Sequence, residues 1–576
     1  MTEQTQGYKH YGPTLAASEQ LHAEKYRGAG ESFYESQCRT SAVLCDDESH
    51  RKAIKEIQLD MRFMSGGRVQ SSVGQAKDVC SHNCFVSAIV EDSMDSIMDR
   101  ANEAAETMRK GGGIGYDFSR IRPRGDRIVS LDSIASGPLS FMEIFDSVCK
   151  TIVSAGHRRG AQMGVLRVDH PDIEEFIRAK QNKDRLTNFN LSVGVTNDFM
   201  LAVLDEGDFD LQFEGKVYKT VRAKELWDEI MRSTWDWAEP GVLFLDHINS
   251  MNNLWYCEDI EATNPCAEQP LPPNGACLLG SFNLTKYVKQ TTHNGPEFEF
   301  AFEQFKQDIP HIVRMIDNVI DYATYPLASQ ATEAHSKRRM GLGITGLANA
   351  GEAVAGPYGS PAFIAFTERV LTILRDTAYT ASVSLAIEKG PFPLFDADMY
   401  SESAFVSTLP QHIQDMIKEH GIRNSHLLSI APTGTISFCA DNISSGIEPV
   451  FAIETDRIIQ SEEGPRTVRV PDYGKRVFGV TGTCADELSV DAHLSVLTTV
   501  QRYIDSAVSK TLNVGDDVTF QEFKNIYMTA WNNGAKGCTT FRASGKRFGI
   551  LKKVETEVDE GAACYYDPET GKKECE

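Results

Sequence analysis

The sequence predicts an α/β protein, in which short β-strands alternate with amphipathic helices. Strand-like runs of β-branched and apolar residues stand at 85–90 (FVSAIV) and at 190–196 (NLSVGVT). Between them, 134–156 has the pattern of an amphipathic helix after a Gly-Pro start, and 170–180 that of another with Pro171 near its first turn. This alternation is typical of a sheet whose strands are covered by helices.

Length and charge limit the possible functions. The chain has 576 residues, enough to bury a large core, and carries 58 Lys and Arg against 81 Asp and Glu, for a formal charge of -23 and a pI near 5.1. Such an acidic surface argues against coating nucleic acid, so any nucleic-acid chemistry should involve monomers. The N-terminus lacks the apolar core of a signal peptide, and no apolar run approaches about 18 residues. We expect a soluble cytoplasmic protein without nucleic-acid or membrane partners.

Three regions can be separated along the chain. Apolar residues set among charges from Leu15 to about Met64 indicate a helical N-terminal lobe, which we assign to 1–65. The α/β pattern continues through 66–551, where we place the catalytic domain. The acidic, Gly-containing segment 554–563 (VETEVDEGAA) has the composition of a linker, so we expect 552–576 to be a flexible tail.

Cysteine usage indicates redox chemistry. The thirteen cysteines are scattered along the chain, which suggests a reducing compartment with several available thiols. The segment 263–284 (TNPCAEQPLPPNGACLLGSFNL) places Asn264, Cys266 and Glu268 at alternate positions, so in an extended loop all three would face one side. Cys277 follows in the same segment. The alternative is that Cys266 and Cys277 are simply small buried apolar residues.

A glycine run at 111–125 (GGGIGYDFSRIRPRG) leads into Arg120, Arg122 and Arg124. It contains G-x-G but does not open a helix, so the context of a dinucleotide-binding turn is missing. Arginine forks bind phosphate oxygens at two points, which makes the segment a candidate for nucleotide binding. The alternative is that these arginines form surface ion pairs.

A second candidate site for phosphate lies near position 430. Leu427–Ile430 has the pattern of a buried strand, and small residues with hydroxyl groups follow it. Such a loop before a helix can bind an anion through free N–H groups, although an ordinary Ser/Thr-capped turn would have the same composition. We predict phosphate contacts from Pro432, Thr433, Gly434, Thr435, Ile436 and Ser437.

These motifs together make the chain resemble the ribonucleotide reductases over roughly Leu15 to Leu551. The N-x-C-x-E motif around Cys266 is similar to the active-site finger loop of that family, and A-P-T-G-T-I-S at 431–437 matches its substrate-phosphate motif. The version NPCAEQPLPP, preceded by NNLWYCEDIEAT, is most similar to the adenosylcobalamin-dependent branch, class II. The resemblance implies a ten-stranded α/β barrel of two antiparallel five-stranded halves, with the finger loop threaded through its centre.

The resemblance also implies catalytic roles. Cys266 would become a thiyl radical through adenosylcobalamin and take hydrogen from C3′ of the ribose, while Glu268 would be the general base on the 3′-hydroxyl and Asn264 would hold the ribose. Cys84 and Cys277 would supply electrons for loss of the 2′-hydroxyl by closing a disulfide, with Cys80 a competitor of Cys84. Further substrate contacts are carried over onto Asn83 and Gly113.

Regulation and reductant are implied in the same way. A deoxynucleotide or ATP effector would bind Asp92, Arg122 and Arg159, with 157–163 as the communicating loop. A homodimer is expected because most family members complete their effector loops across a two-fold interface. The tail cysteines Cys564 and Cys575 are expected to reduce the internal disulfide and then be reduced by a thioredoxin-like protein. No metal site is expected, because the tight C-x-x-C pairs of zinc sites are absent.

Alternatives to the class II assignment remain. A class I subunit, which receives its radical from a metal-containing partner, has two adjacent tyrosines where this chain has Thr539, Thr540 and Phe541. Tyr565 and Tyr566 are adjacent but lie in the tail. A catalytically inactive nucleotide-binding relative would not need the intact Cys, Asn and Glu set, and a thiol hydrolase would need a positioned His that the motif does not provide. The resemblance therefore implies an adenosylcobalamin-dependent reduction of ribonucleoside di- or triphosphates.

Overall fold

The computed structural model describes residues 11–152, 160–182, 184–291, 298–461, 464–542 and 544–545, with short stretches at 552–553, 564–566 and 573–575. Arg159 of the predicted effector set and the predicted linker 554–563 lie outside the described residues. Within these ranges, no helix has both the length and the apolar character needed to cross a membrane.

The described residues form nineteen α-helices, most of which bury one face against a sheet or a neighbouring helix. They are α1 Ala16–Tyr26, α2 Phe33–Leu44, α3 Glu48–Leu59, α4 Gly67–Ser72, α5 Met94–Arg109, α6 Pro138–Thr151, α7 Ile173–Arg178, α8 Asn197–Leu204, α9 Ala223–Trp237, α10 Leu245–Ser250, α11 Phe302–Tyr322, α12 Ala328–Lys337, α13 Leu347–Val354, α14 Pro361–Lys389, α15 Ala397–Ser401, α16 Gln411–His420, α17 Gly434–Cys439, α18 Val490–Gln501 and α19 Phe520–Asn532.

The same residues form short strands, in keeping with an α/β chain. They are β1 Phe63–Ser65, β2 Cys84–Val86, β3 Gly113–Asp117, β4 Arg127–Ile128, β5 Ser133–Ile134, β6 Gln162–Arg167, β7 Phe189–Val195, β8 Asp208–Phe213, β9 Lys216–Arg222, β10 Gly241–Phe244, β11 Ala262–Thr263, β12 Pro270–Leu271, β13 Ala276–Cys277, β14 Leu279–Asn283, β15 Val288–Gln290, β16 Phe298–Phe300, β17 Gly341–Thr345, β18 Glu454–Ser461, β19 Gly464–Pro471, β20 Thr511–Val514, β21 Gly537–Arg542, β22 Lys552–Lys553, β23 Cys564–Tyr566 and β24 Lys573–Cys575.

The main sheet has eight strands in the order β13-β2-β3-β6-β7-β10-β21-β20. Strands β2, β3, β6, β7 and β10 are parallel to their neighbours and form the first parallel set. Strand β21 pairs antiparallel with β10 and parallel with β20, so it starts a second set that runs in the opposite direction. The predicted α/β class is therefore confirmed.

The second parallel set continues beyond the main sheet. Strand β14 is parallel to β17, and isolated parallel bridges join Leu342 to Leu428 and Ile430 to Val508. The buried strand predicted at Leu427–Ile430 is thus present only as these two bridges. At the other edge of the main sheet, β13 pairs antiparallel with β2. Since β13 directly precedes β14 in the chain, this pairing connects the first parallel set to the start of the second.

Local signals explain several of these elements. Helix α6 begins with Pro138 in its first turn, after Gly137 at φ +79, and ends at Thr151, inside the predicted 134–156. The strand predicted at 85–90 is shorter, because Ser87 makes a last ladder hydrogen bond to the Gly115 carbonyl and the chain then leaves the sheet.

The N-terminal lobe packs against the second parallel set. Helices α1 to α3 carry the predicted helical pattern, and α2 and α3 contact α11. The strand that follows them, β1, pairs antiparallel with β14. The end of the predicted lobe is therefore hydrogen-bonded to the predicted catalytic domain.

Candidate active site

The finger loop is a β-hairpin with a tight tip. Strands β11 and β12 pair Ala262 with Leu271 and Thr263 with Pro270, which leaves 264–269 as the turn. The Asn264 side chain accepts a hydrogen bond from Gln269 N at 3.0 Å, and Ala267 lies at φ +63. The tip is therefore not extended, and the expected alternation of Asn264, Cys266 and Glu268 along one side does not apply.

The glycine run allows the hairpin to lie directly on strand β3. A Cβ atom at Gly115 would stand 1.9 Å from the Thr263 carbonyl oxygen. A Cβ at Gly113 would stand 3.1 Å from both the Cys84 Sγ and the Pro265 Cγ atoms. These glycines thus permit close approach of the backbone, and they bring the predicted substrate residue Gly113 beside Cys84 and the hairpin tip.

Cys84 and Cys277 stand directly opposite each other on β2 and β13. Opposed residues of an antiparallel pair have Cα atoms about 4.5–5.5 Å apart, within the range that a disulfide spans. Both residues are thiols in this structure. Cys80, the competitor of Cys84, instead lies 3.2 Å from the His82 carbonyl oxygen and 3.3 Å from that of Lys110. The register favours Cys84 as the partner of Cys277.

Three functional groups lie near one buried thiol, that of Cys277. Burial raises the pKa of Cys277 well above its ordinary value, and the nearby Glu268, Cys84 and Cys266 raise it further. Cys277 therefore stays protonated at neutral pH. Cys266 is half-buried, whereas Cys84, Cys277 and Glu268 are buried, so Cys266 is the most accessible of the three thiols.

Some polar atoms of the hairpin tip are hydrogen-bonded to the surrounding chain, and others are buried without a hydrogen-bond partner among the described residues. The Glu268 carbonyl oxygen accepts hydrogen bonds from Ser429 Oγ at 2.8 Å and from Ala507 N at 3.0 Å. The Asn264 Nδ2 atom and both amide atoms of Gln269 are buried without a hydrogen-bond partner among the described residues. Buried polar atoms usually have partners, so these amides are candidates for binding a ligand.

Sequence reasoning missed Gln269 and Ser429. Gln269 directly follows the N-x-C-x-E motif, and this adjacency was the available signal. No local signal marks Ser429, because its contact is with a residue 161 positions away.

The predicted phosphate loop is partly helical. Helix α17 begins at Gly434, and Thr433 before it lies at φ +53. The Thr433 hydroxyl accepts a hydrogen bond from Gly446 N at 2.7 Å, and the Ser437 hydroxyl donates one to the Gly434 carbonyl at 3.2 Å. Gly434 and Thr435 are exposed. The backbone N–H groups of this exposed first turn are candidate anion donors.

The remaining predicted substrate residues, Asn83, Pro432 and Ile436, lie in different surroundings. Ala431, which precedes the loop, belongs to the same apolar cluster as Cys84, Cys277 and Ala267. Asn83 is half-buried, and its N–H donates to the Cys277 carbonyl at 3.2 Å. Pro432 is half-buried, while Ile436 is buried with the N-terminal lobe.

Two of the three predicted effector residues contact each other. Arg122 donates to the Asp92 carboxylate through its backbone N–H, at 3.1 Å, and through its side chain. This hydrogen bond raises the pKa of the Arg122 guanidinium. The side chains are 33% and 22% exposed, which places the pair at the surface. The sequence left open whether these arginines bind a nucleotide or form surface ion pairs. Arg122 does form such an ion pair, at a position that a ligand can reach.

Comparison with protein families supports the resemblance drawn from the motifs. The family model described as "Ribonucleotide reductase, barrel domain" matches residues 82–478 and 466–541. This chain belongs to the ribonucleotide reductase family.

Among curated proteins, the chain is similar to B12-dependent members of that family. It is 36% identical to the "Vitamin B12-dependent ribonucleoside-diphosphate reductase" of Thermoplasma acidophilum, over 82% of this chain and 63% of the relative. It is 36% identical to the Mycobacterium tuberculosis (strain CDC 1551 / Oshkosh) protein of the same name, over 83% and 71%. It is 27% identical to the "Vitamin B12-dependent ribonucleotide reductase" of Streptomyces avermitilis, over 93% and 64%. The chain thus spans about two thirds of the length of these relatives.

Proposed function

We propose that this chain reduces ribonucleotides to 2′-deoxyribonucleotides by thiyl-radical chemistry that depends on adenosylcobalamin. The observation that carries the proposal is geometric: Cys84 and Cys277 are directly opposed on β2 and β13, and Gly113 lies between Cys84 and the hairpin tip that carries Cys266 and Glu268. Two of the similar proteins are named ribonucleoside-diphosphate reductases, so we propose diphosphates as substrates.

Each residue has a role that suits its environment. Cys266, the accessible thiol, takes hydrogen from C3′ of the ribose once it is a radical. Glu268 accepts the proton of the 3′-hydroxyl, and the free amide hydrogens of Asn264 bind the ribose. Replacing the 2′-hydroxyl with hydrogen and releasing it as water takes two protons and two electrons, which Cys84 and Cys277 supply as they close a disulfide. Glu268 then returns its proton to the 3′-oxygen, and Cys266 returns its hydrogen to C3′.

The site fits the cofactor chemistry. When bound, adenosylcobalamin supplies a carbon-centred radical that removes a hydrogen atom from a thiol. Cys266, which is half-buried at the tip of a hairpin, would be the thiol that gives up this hydrogen, whereas Cys84 and Cys277 are buried. This arrangement uses one thiol for the radical and two for the electrons.

We propose that the two parallel sets form the ten-stranded barrel implied by the resemblance. Its support is the antiparallel contact of β10 with β21 on one side and of β2 with β13 on the other. The bridges at Leu428 and Ile430 supply the strand between β17 and β20. The hairpin β11–β12 lies on β3, as a finger inside the barrel would.

We propose a homodimer with effector sites that include Asp92, Arg122 and Arg159. Helices α5 and α6 pack against each other, and each carries apolar side chains that the described residues leave partly uncovered. Met94 and Met98 of α5 are 57% and 48% exposed. On α6, Phe141, Ile144 and Val148 are only half-buried, at the spacing of one helical stripe. A second copy of the chain would cover these stripes.

We propose that Cys564 and Cys575 form the reducing pair of the tail and that a thioredoxin-like protein reduces them. Strands β23 and β24 are antiparallel, and their register places Cys564 opposite Cys575. Directly opposed positions are within disulfide reach. We place the protein in the cytoplasm, because the described cysteines whose side chains are defined are all thiols.

One assay tests the proposed function. The purified chain is incubated with a ribonucleoside diphosphate, a dithiol and adenosylcobalamin, and deoxyribonucleotide is the expected product. Product only with a metal-containing radical-generating subunit would support the class I alternative. Nucleotide binding without any product would support an inactive relative.

A further inference from the structure

The backbone of Glu268, the proposed general base, is hydrogen-bonded to residues far away in the chain. Two donors from the second parallel set bind the Glu268 carbonyl oxygen: the Ser429 hydroxyl at 2.8 Å and the Ala507 N–H at 3.0 Å. Ser429 is 1% exposed and Glu268 is 2% exposed, so water does not compete for these bonds. The hairpin tip is therefore fixed at the backbone of Glu268 by residues outside the hairpin.

Asp505 holds the segment that carries Ala507. Its carboxylate accepts hydrogen bonds from Leu427 N at 2.7 Å and Leu428 N at 2.9 Å, and from the Tyr379 hydroxyl at 2.7 Å. Asp505 is 1% exposed. Because Leu427 and Leu428 immediately precede Ser429, one carboxylate sets the relative positions of both donors to Glu268.

Lys536 completes the arrangement. Its side-chain ammonium donates to the Asp505 carbonyl oxygen at 2.6 Å and to that of Ser506 at 2.7 Å. Burial lowers the pKa of Lys536 to about 8, with Asp505 opposing the shift, so the amine is mostly charged at neutral pH. These two carbonyls belong to the residues just before Ala507, and the charged amine therefore holds the backbone that presents the Ala507 N–H.

We propose that Ser429 and Lys536 are positioning residues for Glu268: they fix its backbone so that the carboxylate meets the 3′-hydroxyl of the substrate. This inference rests on the proposed function, in which Glu268 is the general base. A general base must be within hydrogen-bond reach of the proton that it removes, and small displacements of a base lower the rate strongly.

The inference can be tested because the proposed reaction has two steps that use different residues. Removal of the C3′ hydrogen needs Cys266, whereas the following loss of the 2′-hydroxyl is assisted by Glu268. If Glu268 alone is displaced, the first step still occurs but product forms slowly. Hydrogen taken from C3′ then has more time to exchange with water through the Cys266 thiol. A substrate with tritium at C3′ would therefore release more tritium to water per deoxynucleotide formed.

The first variant is Ser429→Ala, which removes only the hydroxyl. We expect kcat to fall about tenfold with little change in KM, and tritium release per product to rise severalfold. The matched control is Ser233→Ala, because the Ser233 hydroxyl is also buried and donates to the carbonyls of Ile177 and Glu239 at 2.9 and 3.0 Å. The melting temperature of the control should fall by about as much as that of Ser429→Ala, but its kcat and its tritium release per product should stay at the wild-type values.

The second variant is Lys536→Met, which replaces the buried ammonium with an apolar chain of similar length. Its matched control is Lys510→Met, because the Lys510 ammonium is also fully buried and lies 3.0 Å from the Glu448 carboxylate. We expect the raised tritium ratio in the Lys536 variant and the wild-type ratio in the Lys510 variant.

The possible outcomes separate this inference from the proposed function. A wild-type enzyme without reductase activity would contradict the proposed function itself. An active wild type with an unchanged tritium ratio in Ser429→Ala and Lys536→Met would overturn the positioning role alone. A parallel fall of tritium release and product would also overturn it, because it would mean that the whole hairpin, including Cys266, had moved.

Discussion

The finger hairpin and the predicted effector surface differ in how their functional groups are held. At the hairpin, Glu268 is buried and its backbone is bound by groups from the second parallel set. At the effector surface, Asp92 and Arg122 are partly exposed and bind mainly each other. The hairpin is held by the chain itself, whereas in the proposed effector site Arg122 would exchange Asp92 for a ligand.

This difference has an energetic basis. An exposed ion pair contributes only about 0–1 kcal/mol, so a nucleotide phosphate can replace Asp92 as the partner of Arg122 at low cost. Buried hydrogen bonds cannot be exchanged in this way, because a buried group that loses its partner costs about 1–3 kcal/mol. Substitutions should therefore have large effects at the hairpin and small ones at the effector surface.

The largest effect is expected for Cys266→Ser. Serine is close in size, but its O–H bond is too strong for a carbon-centred radical to break, so turnover should fall by at least about a thousandfold. Thermal stability and nucleotide binding should stay near wild type, as measured by melting and by equilibrium binding. Cys257→Ser, at an exposed cysteine, is the control and should stay active. Product formation by Cys266→Ser would refute the radical role.

The next effect concerns the opposed thiols. Without added reductant, the Cys277→Ser variant should form no product, because both Cys84 and Cys277 are required to supply the two electrons. After one turnover without reductant, mass spectrometry of wild-type peptides should find a Cys84–Cys277 disulfide. Cys80→Ser should behave as wild type. A disulfide between Cys80 and Cys277 would show that the register does not determine the redox pair.

A smaller effect is expected in the tail. With Cys564 and Cys575 both replaced by Ser, thioredoxin should support about one turnover per active site, since only the preformed Cys84–Cys277 dithiol can react. A small dithiol that enters the site directly should restore multiple turnovers. Unimpaired cycling with thioredoxin in the double variant would mean that the tail is not the electron shuttle.

The smallest effect is expected at the effector surface. Arg122→Gln should change the free energy of unfolding by less than about 1 kcal/mol and leave basal turnover nearly unchanged. The response of substrate choice to added deoxynucleotides should weaken, as measured by product ratios with mixed substrates. Arg127→Gln is the control, because Arg127 also forms an exposed ion pair, with Asp132. An undiminished response in Arg122→Gln would remove Arg122 from the effector site.

The sequence allowed good prediction where the evidence was local or carried by motifs. The α/β class follows from alternating patterns, and helix α6 from its Gly-Pro start. The expectation of an extended hairpin tip was wrong, because the side chain of Asn264 accepts a hydrogen bond that closes a turn. The alternation of residue types along the sequence cannot reveal such a turn. Ser429 and Lys536 were missed for a different reason: their contacts join residues far apart in the chain, and no periodicity encodes such pairs.

The opposed placement of Cys84 and Cys277 has a consequence beyond the electron supply that we propose. Strands β2 and β13 join the first parallel set to the chain that leads into the second. A disulfide there would cross-link the two sets and close a loop of roughly 190 residues, which typically stabilises a fold by about 2–4 kcal/mol. The spent enzyme would then resist heat better than the reduced one. A melting curve would thus indicate what fraction of the enzyme awaits its reductant.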